Sequence, residues 1–305
     1  MSDATTETFN RLRPRLQGIA YRMLGSSAEA EDIVQDAWLR WHAVDTDSLE
    51  STEAWLVSVT TRLAIDRLRT AKVQRAHYVG TWLPEPLMSD SLLSPEQMLE
   101  RADDVSIAFM ALLERLAPDA RAAYLLREVF DADYGEVAEA LGKTEPACRQ
   151  LVHRAKEQLQ DQRPRYTVAR ETQLRLLRGF ADAAARGNFH ALKTMLTDDA
   201  QLIGDGGGKV PSFGVPLVGG PRIAQLYWAT YLRFPGAVRY EVVVLNGQWG
   251  LLRFVEGMLE SAQSLETDGV RIVRIHSQRN PDKLARIAAT LGRDLSVTNA
   301  QPPTS

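Results

Sequence analysis

Seven polar residues in one stretch could do chemistry together: Lys143, Thr144, Arg149, Gln150, His153, Arg154 and Lys156. From Arg149 onward they return at three- and four-residue steps, which puts side chains on one face of a helix. Guanidinium, amide and imidazole groups on such a face suit phosphate oxygens and base edges in a DNA groove. Two short helices must position them. Val137, Ala138 and Leu141 make the apolar face of the first, and Cys148, Leu151, Val152 and Ala155 that of the second. Gly142 can take the positive φ of a tight turn, Thr144 is the expected N-cap, and Glu145 and Pro146 suit a first turn. This is a helix-turn-helix pattern, although an ordinary helical hairpin with a basic outer face shares it. Lys143 stands where such turns often carry an apolar residue, which leaves the turn more open to solvent.

With 305 residues and 45% apolar content, the chain is long enough for two or three compact domains. Its one cysteine, Cys148, reads as small core filler, so neither disulfides nor thiol-ligated metal is expected. The start MSDATTETFNRL lacks the pattern of a signal peptide, and no apolar run approaches the length of a membrane span. The expected compartment is the cytoplasm. Net charge is −3; residues 1–166 hold 20 Lys+Arg against 27 Asp+Glu, a net of −7, and residues 167–305 hold 16 against 12, a net of +4. The half with the helix-turn-helix is therefore the acidic half. Its basic residues gather in two runs, Arg62, Arg67, Arg69, Lys72 and Arg75, then Lys143 to Lys156. Two small basic patches on an acidic body hold DNA weakly, so a partner must supply most of the phosphate contacts.

Three helices are expected before the linker. The first covers Phe9 to Leu24, through Leu12, Leu16, Ile19, Ala20 and Met23. Gly25-Ser26-Ser27 breaks it, and Ser27 is the expected cap of a second helix running to about Trp41. That helix buries Ala30, Ile33, Val34, Ala37, Trp38 and Trp41 and sets Asp32, Gln35, Asp36 and Arg40 on the other side. After the polar stretch His42–Thr52, Glu53 to Arg69 forms the third, with Leu56, Val59, Leu63 and Leu68 inside and Arg62, Asp66, Arg67 and Arg69 outside. Trp38, Trp41 and Trp55 are large enough to anchor a small helical core. Thr70 to Pro95 reads as a linker. Within it, alternate prolines make Trp82-Leu83-Pro84-Glu85-Pro86-Leu87 stiff and extended, so Trp82, Leu83 and Leu87 are expected to dock elsewhere. Ser94-Pro95 opens a further helical segment carrying Leu99, Val105, Ile107, Phe109, Leu112 and Leu113. Ala117-Pro118 interrupts it before Ala120–Glu128.

YRMLGSSAEAEDIVQDAWLRW followed by AWLVSVTTRLAIDRLR resembles region 2 of bacterial sigma factors of the extracytoplasmic-function (ECF) class. LLERLAPDARAAYLLREVFDADYGEVAEALG, leading into the helix-turn-helix, resembles region 4. The resemblance implies that the first region binds the RNA polymerase core and opens the −10 promoter element, and that the second reads the −35 element as duplex. Carried over by position, Asp32, Gln35 and Asp36 resemble the polymerase-contacting face. Arg62, Asp66, Arg67 and Arg69 resemble the −10 helix, and His42–Thr52 falls where a flipped base would be held. The polymerase would then be the partner that the charge balance demands.

Beyond Arg165 the texture changes to α+β. Gln173–Arg186 is an amphipathic helix ended by Gly187-Asn188, and a short helix carries Phe189, Leu192 and Leu196. Ala200–Ile203 is a short strand, and Pro221–Phe234 is helical. Four strand-like runs follow: Arg239–Leu245, Trp249–Glu256, Met258–Glu266 and Val270–His276, with Asn246-Gly247 and Asp268-Gly269 as turns. This order resembles the cone-shaped SnoaL-like and nuclear transport factor 2-like superfamily, some of whose members are enzymes. Asp205, His190 and His276 are the acid–base candidates, with Tyr227, Tyr231 and Trp249 as pocket aromatics, but they show no tight catalytic spacing and no metal set. A small-molecule pocket without chemistry suits a concave, aromatic-lined fold better. Asn280-Pro281-Asp282-Lys283-Leu284 is a helix start with Asn280 as cap, running to Leu291.

ECF sigma factors with such an extension form a subgroup marked by a WLPEP-like linker, a DGGGK-like loop and an NPDKL-like C-terminal segment. All three stand here: Trp82, Leu83, Pro84, Glu85 and Pro86; Asp205, Gly206, Gly207, Gly208 and Lys209; Asn280, Pro281, Asp282, Lys283 and Leu284. The resemblance implies a regulatory interface within the chain, in contact with the sigma domains or the linker. The expected fold is multidomain: all-α sigma region 2 over 1–70, a linker over 71–95, and all-α sigma region 4 over 96–165. An α+β cone-shaped SnoaL-like domain with a C-terminal helix follows over 170–292, then a tail over 293–305. The expected partners are RNA polymerase core and promoter DNA, with a small-molecule ligand in the cone as a further class. No cofactor, metal, membrane or enzymatic activity is expected. Two other classes share parts of the pattern, a ligand-responsive DNA-binding regulator and a cyclase- or isomerase-like enzyme fused to a DNA-binding module.

Overall fold

The structure, a computed structural model, describes residues 3–45, 49–88, 106–160 and 168–295. The chain forms two compact units: Met1–Ala76 with Leu112–Arg163, and His77–Ala111 with Pro164–Ser305. The expectations for Ser94, Pro95, Leu99, Val105 and the tail beyond 295 lie outside the described residues, as does part of the His42–Thr52 stretch.

The first unit is helical. α1 (Asp3–Leu24), α2 (Ser27–Ala43) and α3 (Thr52–Arg75) pack together, with Leu16, Ile19, Met23, Ile33, Trp41, Leu56 and Leu68 buried between them. The cap of α2 is Ser26 and not the expected Ser27, because the Ser26 hydroxyl accepts the Glu29 N–H while Ser27 is already helical. Ser51 caps α3 in the same way. α3 runs through Arg75, so residues that the sequence assigns to the linker from Thr70 onward are helical. Hydrophobic spacing fades there, and the helix is held instead by contacts from its basic side chains. Trp38 and Trp55 are only half-buried, and each stands against another aromatic ring, Phe9 and Trp41 respectively.

α4 (Ile107–Leu113) is followed by α5 (Pro118–Glu128), α6 (Tyr134–Leu141) and α7 (Glu145–Gln160). Pro118 begins α5 rather than merely breaking the chain, since a first-turn proline gives up no needed N–H. Asp133 and Glu136 close a capping box on α6, and Gly142 ends it at φ 61°. Val137 and Ala140 are the buried residues of α6; Ala138 and Leu141, expected inside, are only partly covered. In α7, Cys148, Val152, Ala155 and Leu159 are buried and Leu151 partly so.

In the second unit, α8 (Arg170–Ala185), α9 (Phe189–Met195) and α10 (Gly220–Arg233) cover one face of a six-stranded sheet. Its strands are β1 (Leu196–Asp205), β2 (Leu217–Val218), β3 (Val238–Leu245), β4 (Gln248–Val255), β5 (Met258–Thr267) and β6 (Ile272–Gln278), in the order β2-β1-β6-β5-β4-β3. β1 and β6 are parallel and all other pairs antiparallel. Leu196, expected at the end of α9, starts β1, and the first strand is ten residues long, because its pairing with β6 carries it through to Asp205. Besides Asn246-Gly247, Glu256-Gly257 also turns at positive φ, which the sequence reading passed over. Leu177, Phe180, Tyr227, Leu251 and Ile275 lie in the core between helices and sheet. α11 (Pro281–Leu291) covers other sheet residues through Leu284, Ile287 and Ala288, packed with Leu252, Phe254 and Leu259.

Candidate nucleic-acid interface and linker node

The capped hairpin of α6 and α7 presents the expected basic set to solvent. Lys143, Thr144, Arg149, Gln150, His153, Arg154 and Lys156 are all exposed, while Cys148 and Val152 pin the helix from below. Several have acidic neighbours. Arg149 pairs with Glu145 at 2.7 Å and lies over the Tyr134 ring, Lys156 pairs with Glu128 at 2.7 Å, and Lys143 with Asp119 at 3.1 Å. Exposed pairs of this kind contribute little and yield to a stronger anion.

On α2, Asp32, Gln35 and Asp36 are exposed, with Leu39 59% exposed beside them. An apolar side chain amid carboxylates suits a protein partner better than a nucleic acid. On α3, Arg62, Asp66, Arg67 and Arg69 are exposed as residues, but their head groups are engaged. Arg62 donates to the carbonyls of Glu139 (2.6 Å) and Ala140 (3.0 Å), and Arg69 to Asp66 (3.0 Å) and Asp119 (2.9 Å). Lys72 donates to the Leu116 carbonyl at 2.6 Å, and Arg75 pairs with Glu114 at 2.5 Å. Glu114 also takes the fully buried Arg121, whose other donors reach the Arg22 carbonyl. Burial acts to raise the Glu114 pKa, and Arg121 and Arg75 outweigh it to leave the carboxyl below its usual range. The acidic partners Glu114 and Asp119 were missed in the sequence, where nothing marks which carboxylate faces which helix.

The second site is the loop after β1. Asp205 is fully buried and its carboxylate accepts five hydrogen bonds. One oxygen takes the Tyr78 hydroxyl (2.6 Å) and the Gly207 N–H (3.0 Å). The other takes the Leu83 N–H (2.9 Å), the Gln278 amide (3.2 Å) and the Lys283 ammonium (2.7 Å). Lys283 also donates to the Leu83 carbonyl at 2.6 Å and sits 4.2 Å from the Trp82 ring centroid. Asn280 caps α11 through the Asp282 N–H and donates to the Tyr78 hydroxyl. Burial and the neighbouring Asp205 carboxylate push the Tyr78 phenol well above its ordinary value, so it remains a hydrogen-bond donor. Leu87 and Asn246 exchange hydrogen bonds, and Met88 forms a bridge with Leu245. Leu83 to Pro86 are buried, and Trp82 is half-buried. The three sequence signatures thus meet around one carboxylate. At Gly206, an added Cβ would stand 2.2 Å from the Val210 carbonyl oxygen; at Gly207, which has φ 63°, it would stand 2.3 Å from the Asn280 amide. Lys209 reaches outward to Asp282 at 2.7 Å. Tyr78, Gln278 and Asn246 were missed; Tyr78, an isolated aromatic just ahead of the linker motif, was the available signal.

The acid–base candidates do not converge. Asp205 is sealed in the node, His190 is exposed on α9, and His276 is buried on β6. Burial holds the His276 pKa down at about 4, against the pull of Glu266 at 3.6 Å. Tyr227 is buried and donates to Gln263, Tyr231 lies against Gly187, and Trp249 lines a pocket of about 10 Å³, room for a single water. Beside Tyr227 the interior is filled by Arg253, which is paired at 2.6 Å with Glu260, the extra residue of a β-bulge in β5. Among the described residues no group of three His, Cys, Asp or Glu is placed to hold a metal ion, and no helix is long and apolar enough to cross a membrane.

Comparison with known proteins decides the class. The Sigma-70 region 2 family model matches residues 8–73, and the Sigma-70, region 4 model matches residues 106–159. The ECF RNA polymerase sigma factor SigJ of Mycobacterium tuberculosis (strain ATCC 25618 / H37Rv) is 34% identical, covering 96% of this chain and 96% of that protein. This chain belongs to the ECF RNA polymerase sigma factors. It is an initiation factor for promoter-specific transcription, and sigma factors of this family bind RNA polymerase core and promoter DNA. The probable ECF sigma factor SigI of the same strain is 29% identical across 95% of this sigma factor and 98% of its own length. The crystal structure of SigJ superposes with a TM-score of 0.74 at 30% identity, covering 92% of this chain and 98% of that one. The C-terminal α+β extension is therefore common to this sigma factor and a solved relative.

Proposed function

We propose that this sigma factor is tuned from within its own chain, through the docking of its linker on the SnoaL-like domain at Asp205. The proposal divides the chain into region 2 (1–70), linker (71–95), region 4 (96–165), regulatory domain (170–292) and tail (293–305). Asp32, Gln35 and Asp36 contact the polymerase core in the cytoplasm; Arg62, Asp66, Arg67 and Arg69 engage the −10 element. Lys143, Thr144, Arg149, Gln150, His153, Arg154 and Lys156 engage the −35 element. The observation that supports tuning is the investment in one contact: a buried carboxylate takes two donors from the linker, Tyr78 and the Leu83 N–H. A regulatory domain acts by favouring one arrangement of the chain over another, and a linker clamped at one end is a natural element for that. The extension carries this role without chemistry of its own, because its acid–base candidates are scattered and its interior is filled.

The test is run-off transcription with core polymerase. A chain ending at Arg165, and another ending at His276, are compared with the full chain on the same promoter. Altered promoter-dependent yield supports internal regulation; unchanged yield in both rejects it.

A further inference from the structure

β3 is an outer strand of the sheet, with β4 as its one neighbour in the strand order. Its backbone groups divide by parity. The Ala237 carbonyl accepts the Glu256 N–H at 2.9 Å, so odd-numbered residues turn their N–H and C=O towards β4. At the other end the Asn246 N–H points away from β4, to the Leu87 carbonyl at 2.8 Å. The groups of Val238, Tyr240, Val242 and Val244 therefore face outward. Among the described residues this edge is met only at its end, where Met88 bridges antiparallel to Leu245. Tyr240 to Val244 are all half-buried, whichever face they point to, as an uncovered edge leaves them.

A strand that pairs with its own copy runs antiparallel about a two-fold axis, so the residue at the axis opposes itself and its neighbours oppose each other crosswise. Centring β3 on Arg239 or Glu241 would set like charges face to face, which is destabilising. Centring on Val242 or later would reach Leu245 and Asn246, where the linker already sits. Centring on Val238 leaves few residues in register. Tyr240 remains. About it, Arg239 opposes Glu241 of the second copy twice, at the pairs between hydrogen bonds where side chains stand closest. Tyr240 meets Tyr240, and Val242 meets Val238 on either side, for about six backbone hydrogen bonds. Arg239 and Glu241 now pair with each other along the strand, and Arg239 lies over the Phe254 ring. Such an exposed pair exchanges partners at little cost.

We propose that β3 is a self-association edge, which pairs antiparallel with β3 of a second copy about Tyr240 and joins two six-stranded sheets into one. Edges that must stay apart carry prolines or like charges. β3 instead carries opposite charges two residues apart, the spacing that a two-fold pairing about the residue between them satisfies. The linker keeps its place in both copies, since Leu87 and Met88 occupy the edge beyond Val244.

The full-length chain is followed by sedimentation velocity from about 1 to 100 μM, the range in which a small interface associates. R239E, E241R and a 1:1 mixture of the two are compared with the parent. The parent is expected to move from one-chain to two-chain mass as concentration rises. R239E sets Glu against Glu across the axis and E241R sets Arg against Arg, so each alone should associate about 5- to 30-fold more weakly. In the mixture Glu again opposes Arg at both positions, and the two variants should pair with each other about as tightly as the parent pairs with itself. A contact within one chain cannot produce that restoration. Amide exchange of the parent gives a reading that needs no variant. Exchange at Tyr240 and Val242 should slow with rising concentration by more than at Val243, whose N–H already faces β4. A parent that stays a single chain throughout the range overturns the proposal. So does a dimer that both variants leave intact, a mixture no stronger than the variants alone, or slowing confined to other strands.

Discussion

Two buried ionisable residues carry sharp consequences. Asp205 balances Lys283 and holds two linker donors, so D205A leaves a largely buried ammonium and several donors without a partner. Removing one member of such a pair costs about 3–5 kcal/mol. Urea unfolding of the full chain followed by Trp82 fluorescence should show a loss of that order, with faster proteolytic cutting after Tyr78. His276 gives a pH signature. Its folded pKa is about 4, below the ordinary imidazole value, so the unfolded chain binds the extra proton first as pH falls. The stability this represents is complete above pH ~6.5 and is lost as pH falls towards 4. H276N should flatten that part of the melting-temperature profile. A parent profile that matches H276N between pH 6.5 and 4.5 would reject the buried neutral imidazole.

At the scale of elements, turns and caps were the most legible. Gly142, Asn246-Gly247 and Asn280-Pro281 act where local sequence alone dictates φ or a capping bond, and the structure places them as turns and a cap. The extension of α3 past Arg69 and the start of β1 at Leu196 were not legible, because packing partners distant in sequence decide them. The DGGGK loop lies between these cases. Its glycines advertise a close approach, but only the fold reveals that Asn280 fills the space above Gly207. G207A should therefore destabilise the linker node by more than ~2 kcal/mol, combining positive-φ strain with a steric clash. G214A, where an added Cβ meets nothing within 4 Å, should stay within about 0.5 kcal/mol by the same urea measurement. On α7, Arg149 is held by Glu145 and Tyr134, whereas no acidic partner of that kind restrains Arg154 in the structure as described. R154A should cost about 1–3 kcal/mol of −35 discrimination, read as transcription from promoters with single −35 substitutions. Equal losses on matched and mismatched promoters would make Arg154 a phosphate contact instead.

For the whole molecule, the order of regions could be read from the sequence, because two family-like motifs and a change of texture near Arg165 are local features. What the regions do to one another could not. The node joins Tyr78 and Leu83 to Asp205, Gln278 and Lys283 across 122 to 200 positions of chain, and neither composition nor periodicity encodes such pairings. The charge imbalance was legible but incompletely explained: some of the acidity of the first 166 residues faces the chain's own arginines, as Glu114 and Asp119 do. Linker docking at Asp205 is proposed to set sigma activity. It is tested most directly by multi-round run-off transcription with core polymerase, comparing the full-length parent with D205N and with Y78F on one promoter. Both variants are expected to change the yield several-fold in the same direction, D205N more strongly, with the start site unchanged. Yields equal to the parent's, in variants whose linker is shown by proteolysis to be released, would contradict it.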